Sequence, residues 1–246
     1  MDKLIYTSMT SGKHTLAQLD TVTHNLANIG TDGFKAQMDS FRAVPKISTD
    51  LPVQTFVVNS TIGADFSPGV SHETGRALDV AVQGSGWLVV TAADGKEAYT
   101  RAGSLKTDEN GVLQTQNGLN VVGTTGDITI PPDVTVTISK DGSVSSIPVS
   151  NQVANTTLIS QLKLVNPAPN TLVRGADGLF RTNDGSQPDA DPTVTVVGGA
   201  IENSNVNAVE SLVSMITLSR SFDIHMQMLT DAQADDAKAS TILNIT

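Results

Sequence analysis

The sequence predicts an α+β fold. N- and C-terminal helices pack together as a coiled-coil-like inner domain, and an all-β domain of short antiparallel strands is inserted between them. Two observations carry this reading. Apolar residues recur at helical spacing at both ends of the chain, and the long middle is rich in Val, Thr and Ile punctuated by Asp-Gly and Asn-Gly pairs.

At the N-terminus, Ile5, Met9, Gly12, Leu16, Leu19, Thr23 and Leu26 follow alternating steps of four and three, with Tyr6, Val22 and Ile29 widening the seam. This predicts a helix over residues 2–29, stopped by Gly30 and by the turn pair Asp32-Gly33. Residues 44–76 read as an extended arm or hairpin, with "VQTFVVNST" strand-like and "SPGV" and "ETG" turn-like. Residues 77–200 read as the β domain. Asp-Gly at 94, 141, 177 and 184 and Asn-Gly at 110 and 117 are strong hairpin signals. Between them lie "LDVAVQ" 78–83, "GWLVVT" 86–91, "AYTRAG" 98–103, "GVLQTQ" 111–116, "DITI" 127–130, "VTVTIS" 134–139, "LKLV" 162–165 and "TVTVV" 193–197. The last zone begins near residue 201. Asn205 or Asn207 is the expected helix cap. Ala208, Leu212, Met215, Ser219, Phe222, Met226 and Leu229 then keep the four-three alternation, bordered by Val209, Val213 and Ile216. A helix of about 40 residues, about 60 Å long, is predicted there. The domain reading is therefore 1–43 plus 201–246 for the helices, 44–76 for the arm and 77–200 for the β domain.

Neither terminal helix buries its seam alone. Helix stability comes mostly from packing an apolar face, so the ends are expected to meet each other and then meet neighbouring copies.

Composition excludes several functions. The net charge is −10 without a basic cluster, which opposes binding to a nucleic-acid backbone. There is no cysteine, so disulfides and thiolate zinc sites are ruled out. No apolar run reaches the roughly 18 residues a membrane span needs. The first thirty residues lack the pattern of a cleaved signal peptide. A cytosolic protein, or one exported without signal cleavage, is expected.

The candidate chemistry is sparse. "GTDGFK" at 30–35 lacks the glycine spacing and the preceding strand of a phosphate loop; Gly30 and Asp32-Gly33 are read as turn formers and Phe34 as an apolar anchor. The amides of Asn25 and Asn28 are expected to bond loop backbone or a neighbouring subunit. His14 and His24 do not have metal-pair spacing, and "DENG" at 108–111 lacks the ligand ladder of a calcium loop. Trp87, Met215 and Met226 are assigned to packing. Arg220 is a candidate for an inter-subunit salt bridge. No catalytic residue, cofactor, metal or small-molecule substrate is expected.

Three colinear stretches resemble the rod and hook proteins of the bacterial flagellum. They are "TLAQLDTVTHNLANIGTDGFKAQ", "LDVAVQGSGWLVVTAADGKEAYTRAGSLKTDENGVLQTQNGLNVVG" and "ENSNVNAVESLVSMITLSRSFDIHMQML". The Met1-Asp2 start with Ile5-Tyr6, "RAVP" at 42–45, "GWLVV" and "DGLFR" look most like the proximal-rod members, with distal-rod and hook subunits as the nearest alternatives. The resemblance implies a structural subunit of the drive shaft crossing the periplasm. It also implies export by the flagellar type III apparatus without signal cleavage, terminal helices around a central channel, and other rod proteins as partners. The expected assembly interface comprises Ile5, Met9, Leu16, Leu19, Asn25, Leu26, Asn28 and Phe34 near the N-terminus. In the C-terminal zone it comprises Asn205, Leu212, Met215, Ile216, Arg220, Phe222, Met226 and Leu229. The reading from another class, a secreted carbohydrate-binding or hydrolytic β domain, needs facing carboxylates or an aromatic strip; aromatics are 4% of the chain and many aspartates sit in Asp-Gly turns.

Overall fold

In a computed structural model the described residues are 2–46, 54–148 and 156–243. Residues 47–53 of the predicted arm and 244–246 of the predicted C-terminal helix lie outside them. Among the described residues the fold is α+β, with two α-helices and many short strands. The chain forms two compact units.

The first unit contains Met1–Ala27, Gln37–Gly63 and Val206–Thr246. Its helices are α1, Asp2–Ala27, and α2, Ala208–Leu243, which pack on each other. Strands Gln37–Lys46 and Gln54–Ala64 form a two-stranded sheet. The hydroxyls of Thr10, Thr15 and Thr21 bond carbonyls four residues back and so stay satisfied inside the helix. Helix α2 starts where the Asn207 side chain accepts the N–H groups of Val209 and Glu210, which would otherwise lack partners. Asn207 is thus the cap, and Asn205 does something else. At 36 residues α2 is about 54 Å long, slightly shorter than predicted.

The two helices run antiparallel. A Cβ on Gly12 would lie 3.9 Å from both Phe222 and His225. Further along α1, Val22 and Asn25 share a groove with Val213 and Thr217, so numbers rise along one helix as they fall along the other.

The second unit contains Asn28–Ala36 and Ala64–Asn205. Its largest sheet has five strands in the order Leu164–Val165, Trp87–Thr91, Glu97–Thr100, Phe180–Thr182, Leu172–Arg174. A three-stranded sheet joins Val134–Ile138, Ser143–Pro148 and Thr157–Gln161, and Val80–Gln83 pairs with Thr195–Gly198. Ser71–Glu73 pairs with Ala200–Glu202. These pairings are antiparallel. The core gathers small aliphatic side chains such as Val80, Leu88, Val90, Leu113, Val121 and Val144. Burial of branched side chains of this kind contributes most of the stability of such a domain.

The turn pairs act as read. Gly95, Gly111, Gly142 and Gly178 all take positive φ, the conformation hairpin turns demand and glycine tolerates. Several strands are shorter than their apolar runs. "DITI" contributes only its first residue to a strand, because Ile128 and Ile130 are buried in the core while Thr129 makes a single bridge to Val112. The helix stop differs from expectation. Helix α1 ends at Ala27, and Gly30 is not left-handed; Gly33 is, at φ +67°.

Candidate assembly interface

The faces of α1 and α2 decide which side chains are free. On α1 the buried or half-buried positions include Ile5, Ser8, Gly12, Thr15, Leu19, Val22 and Leu26. On α2 they include Ala208, Ser211, Met215, Leu218, Phe222, His225 and Leu229. Both sets keep the four-three rhythm, but three members of each predicted seam are displaced. Met9, Leu16 and Thr23 give way to Ser8, Thr15 and Val22. Leu212, Ser219 and Met226 give way to Ser211, Leu218 and His225. Three of the six incoming residues, Ser8, Thr15 and Ser211, are small enough to face a partner helix closely, as is Gly12, where a Cβ would lie 3.9 Å from Phe222 and His225.

The displaced apolar residues form one surface. A residue advances about 100° around a helix with 3.6 residues per turn. Tyr6, Met9 and Leu16 each follow a buried or half-buried position by one, as do Val209, Leu212, Ile216 and Met226. Because the helices are antiparallel, these side chains share one flank of the pair. All are exposed, Met9 by 56%, Leu212 by 47% and Ile216 by 54%. Contiguous exposed apolar surface is characteristic of interaction sites, which makes this ridge the candidate interface. Arg220 is also exposed, without an ion pair among the described residues.

The other flank is concave. Gln18, Thr21 and Asn25 precede half-buried α1 positions by one, and Ser214 and Thr217 do the same on α2. With Gln37, Met38 and Asp39 they line a groove of about 550 Å³.

The residues around the helix stop are accounted for inside the chain. The Asn25 amide donates to the Gln37 carbonyl at 2.9 Å, and its oxygen accepts the Gln37 N–H at 2.8 Å. Within the second unit, Asn205 holds Phe34 and Ala36. Its N–H bonds the Phe34 carbonyl, its Oδ1 accepts the Ala36 N–H at 2.7 Å, and its Nδ2 donates to the carbonyls of Asp65 and Ser67. Asn28 Oδ1 accepts from Thr31 Oγ1 at 3.3 Å. Phe34 is buried, with the Arg174 guanidinium 4.4 Å above its ring, and Arg174 Nη1 donates to the Lys35 carbonyl at 3.0 Å. Asn25 thus bonds loop backbone, one of the two roles expected of it, and Phe34 is buried as the expected apolar anchor.

Beside this turn lies a buried ionic cluster. Lys35 Nζ is 2.6 Å from Glu202 Oε1, and Arg101 Nη1 is 2.8 Å from Glu202 Oε2. Lys35 also donates to the Ser67 carbonyl at 2.8 Å, and the Gly69 N–H donates to Glu202 Oε1 at 2.9 Å. The Glu202 carbonyl accepts the Gly33 N–H at 2.6 Å. All three charged side chains are essentially removed from water. Burial pushes the Lys35 ammonium below its ordinary range, only partly offset by Glu202. Burial pushes Glu202 upward, but the Lys35 hydrogen bond, the Arg101 charge and the Gly69 N–H outweigh it and hold the carboxyl low. Arg101 makes the site doubly cationic against one carboxylate. The Trp87 ring, 5.3 Å from its guanidinium carbon, offers a negative face. Trp87 itself packs on Phe66 and Phe180, as a buried tryptophan should.

Lys35, Arg101, Arg174 and Glu202 were not singled out as a group from the sequence. A signal was present: Lys35 directly follows Gly33-Phe34, and Glu202 directly precedes the Asn-Ser-Asn run, so each charge sits beside a turn that must be tied down. Which charges meet across the chain is a tertiary fact.

Comparisons with known proteins agree with this architecture. Residues 81–146 match the flagellar hook protein FlgE/F/G D1 domain, and residues 197–242 match the flagellar basal body rod FlgEFG protein C-terminal region. The chain is 39% identical to the flagellar basal-body rod protein FlgF of Escherichia coli (strain K12), over all of both chains. Identity to FlgF of Salmonella typhimurium (strain LT2) is also 39%, again over both full lengths. FlgG of Buchnera aphidicola subsp. Acyrthosiphon pisum is 30% identical over 86% of this chain and 88% of its own.

Proposed function

Because the chain belongs to the flagellar basal-body rod protein family, we propose that it is a structural subunit of the bacterial flagellar basal-body rod, in its proximal part. The observation that carries this reading is the 39% identity to FlgF proteins along the whole of both chains. The exposed ridge on α1 and α2 supports it physically, since a subunit that works by assembly must leave apolar surface for its neighbours. In this reading the helices assemble in a coiled-coil-like inner layer around the export channel, and the β unit faces outward. The subunit crosses the inner membrane by the flagellar export apparatus and works in the periplasm with copies of itself and other rod proteins. It performs no catalysis and takes no cofactor; its work is torsional stiffness and fit. Deleting the gene, restoring it with an epitope tag and locating the tag in isolated basal bodies tests the proposal. A tag in the rod near its base is expected. Full motility of the deletion strain, or a tag confined to the hook, overturns it.

A further inference from the structure

The ridge and the groove lie on opposite flanks of one helix pair, and they have complementary chemistry. The groove contains one charged side chain, Asp39, half-buried and without an ion pair among the described residues. On the ridge, between Met9 and Leu16, stands Lys13, one residue after the buried Gly12, exposed and likewise without an ion pair. The ridge also carries Asp20 and Asp223, one residue after Leu19 and Phe222. The groove carries the amides of Gln18 and Gln37, which can donate to carboxylates and make no side-chain hydrogen bond among the described residues. Met38, 52% exposed, together with Val22 and Leu218 supplies apolar lining for Met9 and Leu16.

The geometry points to a second copy of this chain as the occupant of the groove: the ridge of one copy seats in the groove of the next, and Lys13 of the first pairs with Asp39 of the second. Two different surfaces of the same unit meet, so the contact is heterologous, leaves a free ridge and a free groove on every pair, and propagates. A two-fold dimer, in which one patch meets itself, would bury only ridges. The ion pair lies at an apolar edge and sets register and partner choice more than affinity. This inference rests on the assembly reading above and names the surfaces that carry it.

The test is a charge exchange in the full-length protein. Lys13→Glu alone and Asp39→Lys alone should each lower incorporation into isolated basal bodies at least tenfold, and the double variant should recover most of it. The unfolding midpoint of each purified monomer should stay unchanged. Single variants that assemble normally, or a double variant no better than either single, overturn the pairing. A photo-crosslinking amino acid at Met38 then identifies the occupant. An adduct with ridge residues of a second copy is expected; an adduct with a different rod protein, or with Met38 of another copy, overturns the proposal. Wild-type subunit missing from the basal body would instead defeat the functional reading, so the two failures are distinguishable.

Discussion

The Lys35 ammonium and the Glu202 carboxylate lie 2.6 Å apart although 167 positions separate them in the chain. Their meeting ties the turn after the first helix to the strand that leads toward the last one. Replacing Lys35 leaves Glu202 balanced by Arg101 but removes charged hydrogen bonds to Glu202 and to the Ser67 carbonyl, a loss of about 1.5–3 kcal/mol. Lys35→Met is therefore expected to destabilise the β unit by roughly that amount, measured by urea unfolding followed through the single tryptophan, Trp87. A loss below about 1 kcal/mol would mean the cluster is solvated in solution.

The same carboxyl makes stability depend on acid. Its folded-state pKa lies below the ordinary 4.5, so the unfolded chain binds the proton more readily. The stabilisation is complete above 4.5 and is lost as pH falls through the lower folded value. Protonation there leaves Lys35 and Arg101 buried with no counter-charge. Asp177, held low chiefly by its hydrogen bond from Arg181, adds to the same acid limb. Unfolding experiments from pH 6 down to pH 3 should show a steep fall for the wild type and a shallower one for Glu202→Gln, which begins less stable. Parallel curves would remove Glu202 from the explanation.

Glycines 30 and 33 should respond differently to alanine. Gly33 takes φ +67°, and a Cβ there runs into the Arg101 backbone, so Gly33→Ala should cost roughly 2–3 kcal/mol. Gly30 has open space around it and no left-handed φ, so Gly30→Ala should stay within about 0.5 kcal/mol. Thermal midpoints of the two purified variants check this, and equal shifts would contradict it.

Arg174 lies over Phe34 and bonds the Lys35 carbonyl. Lysine keeps the charge but not the planar guanidinium that stacks. Arg174→Lys should cost about 1–2 kcal/mol and expose the Phe34 turn to limited proteolysis. An unchanged cleavage pattern would show that the stack does not hold the turn.

Leu212→Asp separates folding from assembly. The side chain is on the ridge, so monomer stability should change by no more than about 0.5 kcal/mol while motility is lost. Leu26→Asp, at a half-buried position in the helix pair, should lower both. Swimming Leu212→Asp cells would dismiss the ridge as an interface.

Much of the architecture was legible in residue order because its causes are local. Periodic apolar residues set two helices, Asn207 capped the second, and glycine after Asp or Asn set the hairpins. The family could be read from Asn-Leu-Ala-Asn, Gly-Phe-Lys and Ser-Asn-Val-Asn because short motifs survive without knowledge of their contacts. The helix face was harder. Small polar residues at Ser8, Thr15 and Ser211 look unlike core, and the pattern does not say that they let two backbones approach. A seam drawn through the largest apolar side chains therefore mixed buried positions such as Leu19 and Phe222 with ridge positions such as Leu16 and Met226.

The sequence by itself determined the α+β class, the helical ends, the turn glycines and the kinship with rod proteins, since each depends on neighbours a few residues away. Only the tertiary structure decided that Asn205 braces Phe34 rather than capping α2, that Lys35 and Arg101 share Glu202, and that one flank of the helix pair is a ridge and the other a groove. Those outcomes depend on which distant groups are brought together and cut off from water, and no spacing along the chain records that.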